Sequence, residues 1–192
     1  MPKIARIIAV GYPHHITQHG NNRAVLFSDD EDRQIHLKLL SRYSNKYQIS
    51  IWAYCLMDNH IHLFAVQETE TAFSRGIGLT NLIYTQYLNR KLKQSGRIWQ
   101  NRFFSCVVEN DHYLWSVARY IERNRLKVEL AATAEFVRDE DEEGDNANHR
   151  ATRTGRPYGT DQFIDQLEFL LNQQLRPGKP GRPAKTGTCP EF

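Results

Sequence analysis

The chain has 192 residues, 40% of them hydrophobic and 24% charged, with a formal net charge of +3. That length suits one ordinary domain with an appendage and excludes two full domains. The opening Met1-Pro2-Lys3-Ile4-Ala5-Arg6 lacks the sustained apolar core of a secretory leader, and no apolar run approaches the length of a membrane span. Cys55, Cys106 and Cys189 have spacings that suit neither zinc nor a disulfide framework, so a reduced, cytoplasmic protein is expected.

Charge is unevenly spread. Residues 1–134 carry 17 Lys/Arg against 11 Asp/Glu, whereas residues 135–145 carry one Arg against seven acids. Residues 71–108 contain Arg75, Arg90, Lys91, Lys93, Arg97 and Arg102 and no acid, interleaved with Tyr84, Tyr87, Trp99, Phe103 and Phe104. Bases for phosphates and rings for unstacked bases suit a single-strand nucleic-acid binder.

Gly11-Tyr12-Pro13 reads as a turn and His14 to Gln18 as a short strand. The polar loop His19-Gly20-Asn21-Asn22-Arg23 follows; Asn21, Asn22 and Arg23 are candidate nucleic-acid contacts. Ser28-Asp29-Asp30-Glu31 has capping-box spacing and opens a helix with Ile35, Leu39, Tyr43 and Tyr47 on one stripe and Leu40 beside it. Ile49–Leu56 and His60–Val66 read as strands joined by a short turn, hence an antiparallel hairpin. Phe73, Ile77, Tyr84 and Leu88 mark a long helix ending near Leu92, with cations at its C-terminal end. A strand over Phe103–Val108 and a helix over Tyr113–Arg125 complete the order strand, helix, strand, strand, helix, strand, helix. This predicts an α+β, ferredoxin-like antiparallel sheet with packed helices.

Residues 1–130 therefore read as the catalytic domain and 131–155 as an acidic, disordered linker. Residues 156–175 hold a last amphipathic helix, Asp161 to Gln174, with Phe163, Ile164, Leu167, Leu170 and Leu171 on one side. Residues 176–192 form a mobile, basic, Pro/Gly-rich tail. Its Gly181-Arg182-Pro183 and Lys185 have the character of a segment lying in a narrow DNA groove.

The chemistry centres on Asp58-Asn59-His60-Ile61-His62. Side chains alternate along a strand, so His60 and His62 share a face and can share one metal ion. On the later helix Tyr120 and Asn124 are four residues apart, about one turn. If that helix lies beside the histidine strand, two imidazoles and an amide oxygen can ligate Mg²⁺ or Mn²⁺. Tyr120 is then a candidate nucleophile, helped by a metal that polarises the phosphate. Singly, each of these residues is an ordinary packing residue; His-x-His on a strand with Tyr-x-x-x-Asn on a later helix is a much rarer combination.

Several separated motifs resemble the REP-associated tyrosine transposases of the single-tyrosine HUH endonuclease superfamily. They are Tyr12-Pro13-His14-His15-Ile16-Thr17-Gln18, Gly20-Asn21-Asn22-Arg23, Ala53 to Leu63, Ile98-Trp99-Gln100-Asn101-Arg102-Phe103 and Ala118-Arg119-Tyr120-Ile121-Glu122-Arg123-Asn124. The resemblance implies His60, His62 and Asn124 as metal ligands and Tyr120 as nucleophile. It also implies single-stranded DNA with hairpin-forming palindromic repeats as partner; from the hydropathy no membrane is expected, and a monomer or homodimer is expected. Arg90, Lys91, Lys93, Arg97, Trp99, Arg102, Arg182 and Lys185 join the candidate DNA contacts. The chain departs from the family after Asn124, where Arg125-Leu126-Lys127-Val128 replaces the usual Pro-led run and the acidic stretch stands in place of a Trp/Ser segment. The competing reading is a degenerate, non-catalytic nucleic-acid-binding module of ferredoxin-like fold.

Overall fold

The structure, a computed structural model, describes residues 6–109, 146–147, 150–151 and 153–176. The elements are β1 (Pro13–His19), a 3-10 turn (Asn21–Arg23), α1 (Asp30–Tyr47), β2 (Ile49–Met57), β3 (His60–Gln67), α2 (Ala72–Lys91), β4 (Phe104–Val107) and α3 (Asp161–Leu171). The four strands form one sheet in the order β2-β3-β1-β4, with every pair antiparallel. This is the expected ferredoxin-like α+β arrangement. The helix expected over 113–125 lies outside the described residues, as do Tyr120, Asn124, Arg182 and Lys185.

Register divides the sheet into two unlike faces. His19 opposes His60, Thr17 opposes His62 and His15 opposes Phe64, so these side chains share one face. Ile16, Ile61, Leu63 and Ala65 point the other way and join the core with α1 and α2. Burying each large aliphatic side chain contributes about 1.5–3 kcal/mol, so the helix-covered face carries much of the stability. The two helices approach closely at Gly76, where a Cβ would stand 2.5 Å from the Ile49 Cδ1 atom and 3.4 Å from the Tyr43 carbonyl oxygen.

Helix α1 differs in detail from its sequence reading. Asp29, not Ser28, is the N-cap, and its carboxylate accepts from the Asp32 amide at 2.9 Å. The fully buried stripe is Asp32, His36, Leu40 and Ser44, while Ile35, Leu39 and Tyr47 pack at its margin. The Asp32 carboxylate can go inside because it has partners: it accepts from Tyr87 Oη at 2.9 Å and Lys91 Nζ at 2.6 Å on α2, and from the Ser28 amide at 2.9 Å. Burial acts to raise the Asp32 pKa, but these donors outweigh it and hold the carboxyl below its usual range.

The C-terminal segment returns to the sheet. Val108 pairs with Tyr158 in a parallel bridge, and Thr160 caps α3 by accepting from the Phe163 amide at 3.3 Å. Phe163 and Leu167 are buried with Ile7, Ala9, Val107 and Leu175. Leu170, expected on the apolar side, is 59% exposed because α3 buries a narrower stripe centred on Phe163 and Leu167. Within the span expected as linker, residues 150–151 and 153–154 are helical and Ala151 is buried beside Cys106 and Tyr158.

Candidate active site

The hairpin between β2 and β3 turns on Asp58-Asn59, since Met57 pairs with His60. The turn is clamped from outside. The Asp58 carbonyl accepts from the amides of Leu26 (2.6 Å) and Phe27 (3.1 Å), and its carboxylate pairs with Arg33 at 2.6 Å. The Asn59 carbonyl accepts from the Gly20 amide at 2.8 Å. A Cβ at Gly20 would lie 2.2 Å from the Ala24 carbonyl oxygen, so only glycine lets the 20–24 turn close against the hairpin. The start of β3, and therefore His60, is fixed by backbone contacts.

Four imidazoles gather on this face. His60 and His62 are edge-to-face, with ring centroids 5.0 Å apart. His19 stacks on His60 at 4.9 Å and His15 on His62 at 5.3 Å. His62 is buried and His60 half-buried. The sequence reading did not assign His15 or His19 to the site; their signal was the alternation His15-x-Thr17-x-His19, which places both on one strand face.

Hydrogen bonds orient the rings. His60 Nδ1 lies 2.7 Å from Asn59 Oδ1, and the Asn59 Nδ2 group faces the Arg23 carbonyl at 3.5 Å. That places the amide oxygen toward the histidine, so Nδ1 donates and the lone pair of His60 is on Nε2. His62 Nδ1 and His15 Nε2 are 3.0 Å apart and share one proton between them. A ring oriented through one nitrogen by a neighbour is the arrangement found around metal-binding histidines. The pair thus fits a divalent cation. Among the described residues no group of three or more His, Cys, Asp or Glu side chains is placed to hold one, so any further donor comes from elsewhere.

The other candidate residues are placed as follows. Asn21, Asn22 and Arg23 are exposed on the turn that packs against Asn59, which brings them beside the histidine end of the hairpin. Arg90 and Lys93 are exposed at the C-terminal end of α2, and Arg97 and Arg102 flank the loop before β4. Two candidates have structural duties instead. Trp99 is largely buried, its indole N–H donating to the Asn81 carbonyl at 3.1 Å, and its remaining surface lines a cavity beside Arg97 and Arg102. Lys91 is tied to Asp29 at 2.7 Å and Asp32 at 2.6 Å, which raises its pKa and occupies its charge. Residues 71–108 do lack acids, but Lys91 reaches across to the acids at the start of α1.

Two further histidines sit in the core. His36 makes edge-to-face contacts with Phe27 at 5.4 Å and Tyr84 at 5.1 Å, and His14 meets Phe73 in the same way at 5.1 Å. Burial pushes the pKa of each down to about 4, which keeps them neutral.

Known proteins resemble this chain in sequence pattern and in fold. Residues 10–124 match the family model described as "Transposase IS200 like". No curated protein sequence matches the chain. A structure of a REP-associated tyrosine transposase bound to a REP hairpin superposes with a TM-score of 0.57 at 20% identity, over 68% of this chain and 76% of that one. A protein described as a candidate transposase from Deinococcus radiodurans R1 aligns over 64% of this chain and 98% of its own, at 18% identity and a TM-score of 0.44. The first of these shares the fold, and the family match spans more than half of the chain, including both histidines of the pair. The chain belongs to the IS200-like transposase family.

Proposed function

We propose that this transposase is a metal-dependent endonuclease and strand transferase that acts on single-stranded DNA with hairpin-forming palindromic repeats through a 5′-phosphotyrosine intermediate. The observation that carries the reading is the His60/His62 pair on one sheet face, with His60 held through Nδ1 by Asn59 and His62 through Nδ1 by His15. Tyr120 and Asn124 enter by their place at the end of the matched family span. His60 Nε2, His62 and the Asn124 amide oxygen would hold Mg²⁺ or Mn²⁺. Such an ion, when bound, polarises the phosphoryl oxygens and stabilises the departing oxygen.

The Tyr120 oxygen attacks phosphorus and the bond from phosphorus to the 3′ oxygen breaks. The phenol loses its proton, the departing oxygen gains one, and the products are a 5′-phosphotyrosine ester and a 3′-hydroxyl. The ester keeps the energy of the broken bond, so a 3′-hydroxyl can attack it and rejoin a strand without a nucleotide cofactor. Asn21, Asn22 and Arg23 flank the histidines and hold the DNA backbone there; Arg90, Lys93, Arg182 and Lys185 extend the basic surface. A cytoplasmic monomer or homodimer is sufficient for this chemistry, and among the described residues no helix is long and apolar enough to cross a membrane.

The test is an adduct assay with labelled hairpin single-stranded DNA and Mg²⁺ or Mn²⁺. Wild type is expected to yield an SDS-resistant protein–DNA adduct that chelator abolishes, and His60→Ala and His62→Ala none. Wild-type yields in both variants would end the metal reading; no adduct in wild type would favour the non-catalytic binding module.

A further inference from the structure

A second basic site lies across the sheet from the histidines. Two adjoining cavities, of about 500 and 280 Å³, form one groove between α2 and residues 96–103. Arg6, Arg97 and Arg102 line it, with Asn101, Ser74 and Thr85 supplying polar groups. Left-handed backbone at Gly96 (φ +103°) and Asn101 (φ +60°) turns the loop so that Arg97 and Arg102 meet the same space. From the sheet, Gln18 Nε2 donates to the carbonyls of Gln100 and Asn101, each at 3.2 Å. Gln18 alternates with Thr17 and His19, so the groove opens on the face opposite His60 and His62.

Among the described residues no carboxylate compensates the charge in this groove. Arg33, Lys91 and Arg176 each meet carboxylates, whereas Arg6, Arg97 and Arg102 meet none among the described residues. The helix and loop that form the walls contain no acid at all. The Arg6 guanidinium sits 4.0 Å over the Phe103 ring, half-buried. Burial first, and the Arg102 charge second, disfavour its cation. An anion in the groove would relieve both effects, and planar guanidinium groups suit the oxygens of a phosphodiester.

We propose that this groove is a second phosphate grip, which holds a phosphodiester of the DNA flanking the cleaved bond; the inference rests on the DNA-processing reading above. It is not where the broken bond sits, because the sheet separates it from the histidine pair. The connection between the two faces is the end of β1. Gly20 bridges to Trp99, the Asn21 amide donates to the Ile98 carbonyl at 2.8 Å, and the exposed Asn21–Arg23 turn stands between. A strand leaving the histidines past this turn reaches the groove, so DNA bound at both places wraps the sheet end.

The experiment measures binding of a labelled single-stranded oligonucleotide by anisotropy across a salt series, using the full chain. Arg97→Gln with Arg102→Gln should flatten the slope of log K against log salt by about 1.4, at roughly 0.7 per single-strand phosphate lost. Arg42→Gln with Lys46→Gln, the same charge change on the exposed side of α1, should leave the slope in place. An unchanged slope in the groove variant, or an equal loss in the α1 variant, overturns the grip. His60→Ala separates the two readings. If it and wild type keep the steep slope while neither cleaves, the cleavage reading fails and the groove stands. If wild type cleaves and the groove variant binds as wild type does, the groove fails alone. No binding by wild type overturns both.

Discussion

The two faces of one sheet are built from the same strands and do different work. On β3, Ile61 is buried in the helix-covered core while His60 and His62, one residue to either side, face the other way. On β1 the contrast falls between neighbours: His14 lies in the core against Phe73, and His15 stacks on His62. Residue type does not decide the role of a histidine here; the two-residue period of the strand does. On the helix-covered face burial keeps His14 neutral, and on the other the ring nitrogens are aligned through named partners.

The sharpest way to break this comparison is to truncate adjacent residues. Ile61→Ala removes fully buried atoms from the core and is expected to lower stability by about 3–4 kcal/mol. His60→Ala, on a half-buried ring, should change stability by less than about 1 kcal/mol while abolishing metal-dependent cleavage. Urea denaturation of both variants beside the adduct assay checks this. Equal stability losses at the two positions would mean that the His60 end of that face is packed as tightly as the helix-covered core.

The buried histidines make a pH prediction. An ordinary imidazole in the unfolded chain takes its proton near ~6.5. His14 and His36 resist theirs down to about 4 in the folded chain. Between those values the unfolded state binds more protons, so stability falls as pH drops from about 6.5 to about 4 and then levels off. Each histidine should contribute roughly 3 kcal/mol to this loss. His36→Leu should flatten part of the acid arm in urea titrations; an unchanged arm would show that the imidazole titrates normally in the fold.

A smaller effect is expected at Asn59. Its side chain is not a candidate ligand but orients His60 through Nδ1 at 2.7 Å. Asn59→Ala should weaken Mn²⁺ binding about tenfold with the fold retained. Asn59→Asp, which keeps the accepting oxygen, should restore binding. Calorimetric titration of the metal reads both, and equal affinities for Asn59→Ala and wild type would remove Asn59 from the orienting role.

Much of this was legible from periodicity. The strands 14–18, 49–56 and 60–66 and the long helix over 73–92 lie within a residue or two of the structure, because apolar spacing reports burial directly. The stripe of α1 was misplaced because hydrophobicity cannot show that Tyr87 and Lys91, some 55 residues on, satisfy Asp32. His60 and His62 were readable as a pair because both lie on one strand. His15 and His19 joined them only through cross-strand register, and Arg6 reached the groove only through tertiary packing. Trp99 reads as a stacking platform by composition; its burial and its indole hydrogen bond to Asn81 follow only from the fold.

The account's central claim, that the histidine face serves a single tyrosine nucleophile, is tested most directly by removing one hydroxyl. Tyr113 and Tyr120 are seven residues apart and both precede the end of the matched family span. Tyr120 has Asn124 four positions on, whereas Tyr113 has Val117. With labelled hairpin DNA and Mn²⁺, Tyr120→Phe is expected to bind as wild type does and form no covalent adduct, while Tyr113→Phe forms it at wild-type yield. An adduct on Tyr120→Phe, or its loss only in Tyr113→Phe, would contradict the account.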